Sequence, residues 1–449
     1  MTLQLLPSPN EVETWLSNFE KKAISRLATI SRFGLIASVL YLTLLLTILM
    51  WGFTYFHFRF IGVIGQIYAI RHALPFLPIA ALVGLFINKK WCQAFSVITC
   101  CGLWLVASLS IASTQATLSE KLDVILIVPI SLFLIWLIAN KTTPARTRVL
   151  WILFWLISLG LIYLRLFTPI DVSIPLYFWL RFKIMFIFLF AISATTRDNS
   201  ARDFIWIPMN VLRGEIWPDN VEYIDRADSK RLHIWWQGVL NLNLTVILIA
   251  AETALYKFGY SISQPHWVWS SVLTFYAYVI GDIAYCNLAA GSARLFGYKV
   301  PDATSFALLA RDPGDWWQRI SWYNYAFISE FVFFPALRRL RNPIFASFFA
   351  FMLFYFLHFA TLILLPNRGI PGAAPEWTGS AYKFAIINTL VIFLIWFGLI
   401  ILGRVYWPLK QKVNEPAIRG WFSVFLTHIL FITTLIIAPW ITRGIFYFI

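Results

Sequence analysis

The chain has 449 residues, of which 60% are hydrophobic and only 13% are charged, and its net charge is +15. A soluble protein carries about 25% charged residues, so this composition excludes an ordinary water-soluble globular fold and favours helices that span a membrane. The basic residues lie mainly in short loops between apolar runs, where they orient spans, so we expect no nucleic-acid partner.

Apolar runs of membrane-spanning length recur along the sequence. About 20 residues cross the hydrocarbon core, which predicts an all-α, polytopic transmembrane helix bundle of about 11 spans. Basic residues collect in alternate loops, and this pattern places the N-terminus in the cytoplasm and the C-terminus outside. The predicted spans are residues 33–56, 73–88, 91–113, 123–140, 149–168, 173–196, 236–256, 267–290, 343–365, 382–403 and 420–441.

Changes of composition divide the chain into five segments. Residues 1–32 are too polar for a cleaved signal peptide and form a cytoplasmic N-terminal segment, followed by an N-terminal transmembrane bundle at 33–196. Residues 197–235 carry charges of both signs and several tryptophans, which predicts amphipathic pieces on the cytoplasmic membrane surface. A second transmembrane core at 236–441 and an external tail at 442–449 complete the chain.

Residues 291–342 interrupt the second core with mixed polar and aromatic side chains. Such a segment is tolerated at membrane depth only where protein surrounds it or where it lines a wet cavity. We therefore expect re-entrant or buried pieces here, and this is the first place to look for chemistry.

Ionisable residues within apolar spans are functional candidates, because burying charge in a membrane is costly. His358 follows the polar segment closely, whereas His428 is either a packing residue or a functional one. Arg181 and Lys183 could pair with Glu252 or Asp282, or hold an anionic ligand. The four cysteines show no metal-ligand spacing, so no metal site is predicted.

Two sequence blocks resemble the membrane-bound O-acyltransferase family, in its bacterial branch of alginate O-acetylation and D-alanyl-transfer proteins. The first is FYAYVIGDIAYCNLAAGSARLFGYKVPDATSF and the second is DWWQRISWYNYAFISEFVFFP. A lone histidine, His358, follows the second block, as in the family. The matching positions are Tyr285, Gly291, Arg294, Phe296, Gly297, Tyr298, Pro301, Asp315, Trp317, Arg319 and Pro335.

The resemblance implies that an acyl group moves from a cytoplasmic acyl-CoA or acyl-carrier thioester to a hydroxyl. His358 would be the general base, and Ser321 or Asn324 would orient it or the acyl carbonyl. Arg294 and Arg319 would bind donor phosphates, or serve only as basic anchors of the cytoplasmic side. The predicted substrate-binding residues are Asp315, Trp317, Arg319, Arg294, Tyr285 and Asp282.

The expected partners are the lipid bilayer, the acyl donor and a hydroxyl acceptor, which is a polysaccharide, a lipid or a small molecule. Accessory proteins are a further class of partner, no cofactor is expected to be tightly bound, and the location would be the bacterial inner membrane. Two alternatives stay open. One is a multi-pass transporter or flippase in which four charged residues line a substrate path, namely Arg181, Lys183, Glu252 and Asp282. The other is a catalytically degenerate scaffold, because Leu357 and Phe359 flank His358 where the family has Trp and Gly.

Overall fold

The computed structural model describes residues 7–27, 32–55, 77–86, 222–224, 228, 230–262, 267–302, 304, 306–320, 325, 328–354, 379–406 and 417–448. Within these ranges the chain is mostly helical, which agrees with the predicted all-α class. The predicted spans at 91–113, 123–140, 149–168 and 173–196 lie outside the described residues, as does most of 197–235.

Most of the described helices lie in the C-terminal half of the chain. The helices are α1 (Pro9–Leu27), α2 (Arg32–Tyr55), α3 (Leu77–Phe86), α4 (Lys230–Ser261), α5 (Trp267–Leu295), α6 (Pro313–Ile320), α7 (Phe334–Leu340), α8 (Pro343–Phe354), α9 (Gly379–Tyr406) and α10 (Ala417–Phe448). Two-residue strands β1 (Glu222–Tyr223) and β2 (Tyr298–Lys299) pair antiparallel, and a π-helical turn (Ser329–Phe333) precedes α7.

Three helices of the described part are long and apolar enough to cross a membrane. They cover Lys230–Gly259 in α4, Val272–Leu295 in α5 and Gly420–Ile445 in α10. All three coincide with predicted spans. Shorter apolar stretches of 10–17 residues lie in α2, α8 and α9.

Helices α4 and α5 form a closely packed antiparallel pair. A Cβ added to Gly238 would lie 2.9 Å from the backbone oxygen of Gly291, so a side chain there would push the two backbones apart. Small residues at such a contact let membrane helices approach closely, and van der Waals packing then holds them together. Further along the same contact, Thr245 Oγ1 donates to the Ala284 carbonyl at 3.2 Å.

Helix α4 begins six residues earlier than the predicted span, inside the segment assigned to the membrane surface. Asp228 caps this start, because its Oδ1 accepts from the Lys230 backbone N–H at 2.8 Å. Trp235 is consequently part of the helix and is 0% exposed. Trp235 therefore packs inside the protein, and the cytoplasmic surface position of the segment 197–235 stays a prediction.

The chain after α5 turns back against the helices instead of continuing outward. Gly297 makes the turn with φ +94°, and a Cβ there would collide with the Arg231 guanidinium. Beyond β2 and a 3₁₀ turn (Ala307–Leu309), α6 enters a core formed with α5, α9 and α10. Trp316 of α6 is 3% exposed and packs there with Val279, Phe393 and Phe431.

Helix α1 lies across one end of the three long helices. A capping box starts it, in which the Ser8 backbone N–H donates to Glu11 Oε2 at 2.6 Å and the Glu11 N–H donates to Ser8 Oγ at 3.3 Å. Trp421, at the start of the α10 span, donates its indole N–H to the Pro7 carbonyl at 2.8 Å. The N-terminal segment is therefore a folded part of the structure.

Candidate functional site

Helix α6 is the element that presents three predicted substrate-binding residues. It starts after Asp312, whose Oδ1 accepts from the Asp315 backbone N–H at 2.9 Å. Asp315 in turn accepts from the Arg311 backbone N–H at 3.0 Å through Oδ2. These reciprocal contacts fix the Asp312-Pro-Gly-Asp315 turn. The first role of the Asp315 carboxylate is therefore to stabilise the start of its own helix, ahead of any contact with a ligand.

Arg319 is held between two carboxylates from distant parts of the chain. Its Nε donates to Asp315 Oδ1 at 2.7 Å, one helical turn earlier, and its Nη1 donates to Glu13 Oε2 of α1 at 2.9 Å. Burial lowers the pKa of Arg319, but the hydrogen bonds with Asp315 and Glu13 outweigh burial and raise that pKa above its ordinary value. An incoming phosphate would have to compete with Glu13 for this guanidinium.

The two adjacent tryptophans of α6 have different neighbours within one aromatic cluster. Trp316 stacks on Phe275 and meets Phe431 with ring centroids 4.9 Å apart. Trp317 packs edge-on against Phe351 of α8, at 5.3 Å, and against Trp396 of α9, at 5.5 Å. Trp317, predicted to bind substrate, is thus a contact between α6, α8 and α9.

His428 of α10 is bound at both ring nitrogens. Its Nε2 lies 2.9 Å from the Leu308 carbonyl oxygen, and its Nδ1 lies 2.9 Å from the Tyr276 hydroxyl. A carbonyl only accepts, so Nε2 carries a proton, and in the neutral ring Nδ1 accepts a hydrogen bond from the Tyr276 hydroxyl. The Trp316 ring meets the imidazole edge-on at 5.3 Å. These contacts fit the packing alternative for His428, because the ring joins α5, α10 and the 3₁₀ turn.

Arg294 is almost fully buried, with 4% of its surface exposed. Its Nη1 donates to Asn241 Oδ1 at 2.6 Å and lies 2.8 Å from Asp302 Oδ1, while its Nη2 donates to the Val300 carbonyl at 2.8 Å. Asn241 also donates to Asn287 Oδ1 at 2.7 Å. The Arg294 side chain therefore ties the end of α5 to α4 and to the turn after β2.

A buried carboxylate lies deeper in the α4–α5 contact. Glu252 is 7% exposed, and its carboxylate lies so close to Gly281 that a Cβ there would collide with it. The predicted residue Asp282 is half-buried next to Gly281 and interacts electrostatically with Glu252. Arg181 and Lys183, the predicted basic partners of these acids, lie outside the described residues.

The three predicted catalytic residues, His358, Ser321 and Asn324, lie outside the described residues, and so does the side chain of Tyr285 on α5. The structure describes the elements that lead to them. Helix α6 ends at Ile320, directly before Ser321, and α8 is described to Phe354, four residues before His358. The Trp317–Phe351 contact brings these two elements together.

Sequence reasoning missed Glu13 and Asn241 as partners of the two predicted arginines. Glu13 lies on a polar helix far from the recognised blocks, so nothing in the sequence connects it with Arg319. A polar residue such as Asn241 inside an apolar span is a usable signal, because it needs a hydrogen-bond partner within the bundle.

No protein-family model matches the chain, and no curated protein matches its sequence.

Proposed function

We propose that the chain is a membrane-embedded O-acyltransferase that moves a short acyl group from a cytoplasmic thioester to a hydroxyl acceptor. The contact between Trp317 and Phe351 is the observation that carries the proposal, because it joins the elements from which Ser321 and His358 follow. The proposal requires α8 to extend by about one turn beyond Phe354. Positions i and i+7 of a helix share a face, so His358 would then lie on the side of Phe351 that faces α6.

In the proposed reaction, neutral His358 takes the proton from the acceptor hydroxyl, whose oxygen attacks the thioester carbonyl. The resulting tetrahedral intermediate breaks its carbon–sulfur bond, and the thiolate of CoA or of the carrier leaves with the proton from His358. Ser321 or Asn324 would donate a hydrogen bond to the developing oxyanion, which is the charge that such a site must stabilise. No metal or tightly bound cofactor enters this scheme.

The resemblance to the membrane-bound O-acyltransferases supports the proposal, and so does the position of the described part of 291–342. Phe296, Ala310 and Trp316 are 0–3% exposed, so protein covers the part of the segment around these side chains, as a re-entrant element requires. The remaining substrate-binding assignments are less direct. Asp315 and Arg319 would act by holding α6, with donor phosphates reaching Arg319 only on displacement of Glu13.

The proposed topology has about 11 spans, with the N-terminus in the cytoplasm, the C-terminus outside and the protein in a bacterial inner membrane. The alternating basic loops support this arrangement. It puts α1 and the Arg294 end of α5 on the cytoplasmic side, where a thioester donor would enter.

The test is acyl transfer in membranes that contain the acceptor. Membranes from producing cells receive radiolabelled acetyl-CoA, and label is followed in the lipid, polysaccharide and small-molecule fractions. We expect His358→Ala to abolish transfer, whereas His57→Ala, a histidine of the predicted first external loop, keeps it. Full transfer by the His358→Ala protein would overturn the assignment.

A multi-pass transporter or flippase is the second candidate, favoured by Glu252 at the centre of the α4–α5 contact. An acid buried at this depth in a spanning helix is typical of substrate and proton paths. Fluorescent-lipid movement between leaflets of proteoliposomes, without acetyl-CoA, tests this function. Loss of that movement in Glu252→Gln together with retained movement in His358→Ala would favour the transporter over the enzyme.

A further inference from the structure

Helix α1 has two different faces. Glu13, Ser17, Glu20 and Ile24 recur at helical spacing and form the inner face, on which Ile24 is 1% exposed and Glu13 contacts Arg319. The outer face recurs with the same spacing and consists of Trp15, Phe19, Lys22 and Arg26. This outer face combines aromatic with basic side chains, as in helices that lie in a membrane interface.

The aromatic side chains of the outer face are exposed with respect to the residues that the structure describes. Trp15 is 64% exposed and Phe19 is 63% exposed, although their rings stack on each other at 5.9 Å. Lys22 and Arg26 are also exposed on this face. Two large exposed aromatic rings side by side on one helix are unusual for a surface that faces water only, and they mark a contact surface.

The position of α1 relative to the long helices identifies what this surface meets. Pro7 accepts a hydrogen bond from Trp421, next to the first residue of the Gly420–Ile445 span. Further along α1, Glu20 lies near enough to Arg294 and Asp302, at the end of the α5 span, to interact with them electrostatically. The inner face of α1 is therefore fixed at the level where these spans leave the hydrocarbon core.

The connection from α1 to α2 independently places the end of α1 near the membrane boundary. Helix α1 ends at Leu27, and α2, which the sequence predicts as the first span, begins at Arg32. Five Cα–Cα steps separate Leu27 from Arg32 and can reach at most about 18 Å, so the end of α1 cannot lie far from the membrane boundary. Tryptophan and phenylalanine favour this boundary, and lysine and arginine are attracted to anionic lipid there.

We infer that Trp15, Phe19, Lys22 and Arg26 bind the anionic headgroup layer of the bilayer that the chain spans. The aromatic rings enter the boundary between headgroups and acyl chains, and the two basic side chains contact lipid phosphates. This inference is independent of the acyltransferase proposal, because it rests on α1 and its position against the long helices and needs no catalytic residue.

The experiment places a spin label on the outer face of the full chain in nanodiscs. Asn18→Cys carries the label between the aromatic and basic residues, in a background in which Cys92, Cys100, Cys101 and Cys286 are replaced by alanine. Collision with oxygen, which concentrates in lipid, is compared with collision with a water-soluble nickel complex. Nanodiscs contain phosphatidylcholine alone, or two parts of it with one part of phosphatidylglycerol.

We expect the label to be oxygen-accessible and nickel-protected in the anionic nanodiscs, and less so in neutral ones. Trp15→Ala with Phe19→Ala should shift the label toward water. Lys22→Gln with Arg26→Gln should do the same in anionic discs, whereas the control pair Thr14→Ala with Ser25→Ala should leave the label in place. Nickel access in every disc would overturn the inference. Protection from both reagents would also overturn it, because protein would then cover the face. The inference would also be overturned if the label in neutral discs became oxygen-accessible and nickel-protected only when inorganic phosphate is added.

Discussion

Arg319 donates a hydrogen bond to Glu13 across a sequence separation of 306 residues, with Nη1 and Oε2 2.9 Å apart. The contact joins the N-terminal helix to the short helix that precedes the predicted catalytic positions. Arg319 is only 13% exposed at its side chain and Glu13 31%, so the pair is partly shielded from water.

We expect Glu13→Gln and Arg319→Gln to be coupled in a double-mutant cycle. A partly buried, charge-assisted hydrogen bond of this kind contributes about 1–2 kcal/mol, more than an exposed pair. Thermal unfolding in detergent measures the coupling, with Glu11→Gln as a matched control on the same helix. Additive effects of the two replacements would contradict the contact.

The close approach of α4 and α5 makes a second prediction. Gly238→Ala should lower the melting temperature, because the new methyl group would lie 2.9 Å from the Gly291 carbonyl oxygen and 3.0 Å from the Leu295 backbone nitrogen. The expected loss is about 1–3 kcal/mol, as for overpacking in general. The control is Gly398→Ala on α9, where no atom lies within 4 Å of the added Cβ. That variant should be neutral or slightly more stable, because alanine is the better helix former. Equal effects of the two replacements would contradict the packing.

Replacement of Arg294 distinguishes a structural role of this residue from a role in binding the acyl donor. Arg294→Lys keeps the charge but loses the fork that reaches Asn241, Asp302 and the Val300 carbonyl together. Leaving these groups unsatisfied should cost about 3 kcal/mol or more in thermal unfolding. Lys299→Gln is the control, since Lys299 is exposed and forms only a 3.4 Å pair with Glu222. An unchanged melting temperature for Arg294→Lys, with weakened binding of acyl-CoA, would restore the phosphate-binding role.

The spanning helices are predictable because an uncharged apolar run of about 20 residues matches the thickness of the hydrocarbon core and is rare in soluble proteins. The α4, α5 and α10 spans follow from this signal, with errors only at their ends. The sequence places the start of α4 at residue 236, because the residues before it are polar and suggest that the helix has not yet begun. In the structure the helix begins at Lys230, because Asp228 caps a helix whose first residues are polar. Composition shows where lipid begins, but it does not show where a helix begins.

The contacts of the candidate site depend on information that the sequence lacks. Trp316 and Trp317 are neighbours, yet about 100° of helical rotation gives them different ring partners within one aromatic cluster, and no pattern tells which one meets α8. The pairing of Arg319 with Glu13 depends on how α1 docks, which local spacing does not encode. The pairing of Arg294 with Asp302 is easier to predict, since both residues lie in the same recognised block.

Glu20 makes the docking of α1 depend on pH. Partial burial and the nearby Asp302 carboxylate raise the pKa of Glu20, while Arg294 and Lys21 act in the opposite direction. Because the pKa of this acid is higher in the docked state than in the undocked one, docking takes up a proton. Docking therefore strengthens as the pH falls through the raised pKa, and the charged form weakens it above that pKa.

The expected result is that acidification from neutral pH immobilises a spin label on α1, observed as a broader spectrum from a label at Asn18. Glu20→Gln should show the immobilised spectrum at neutral pH already and lose most of its pH dependence, because the amide carries no charge to repel Asp302. Glu11→Gln is the control for the mere loss of an acid from α1. A label that becomes more mobile on acidification would reverse the sign, and would mean that attraction to Arg294, not repulsion by Asp302, dominates at Glu20.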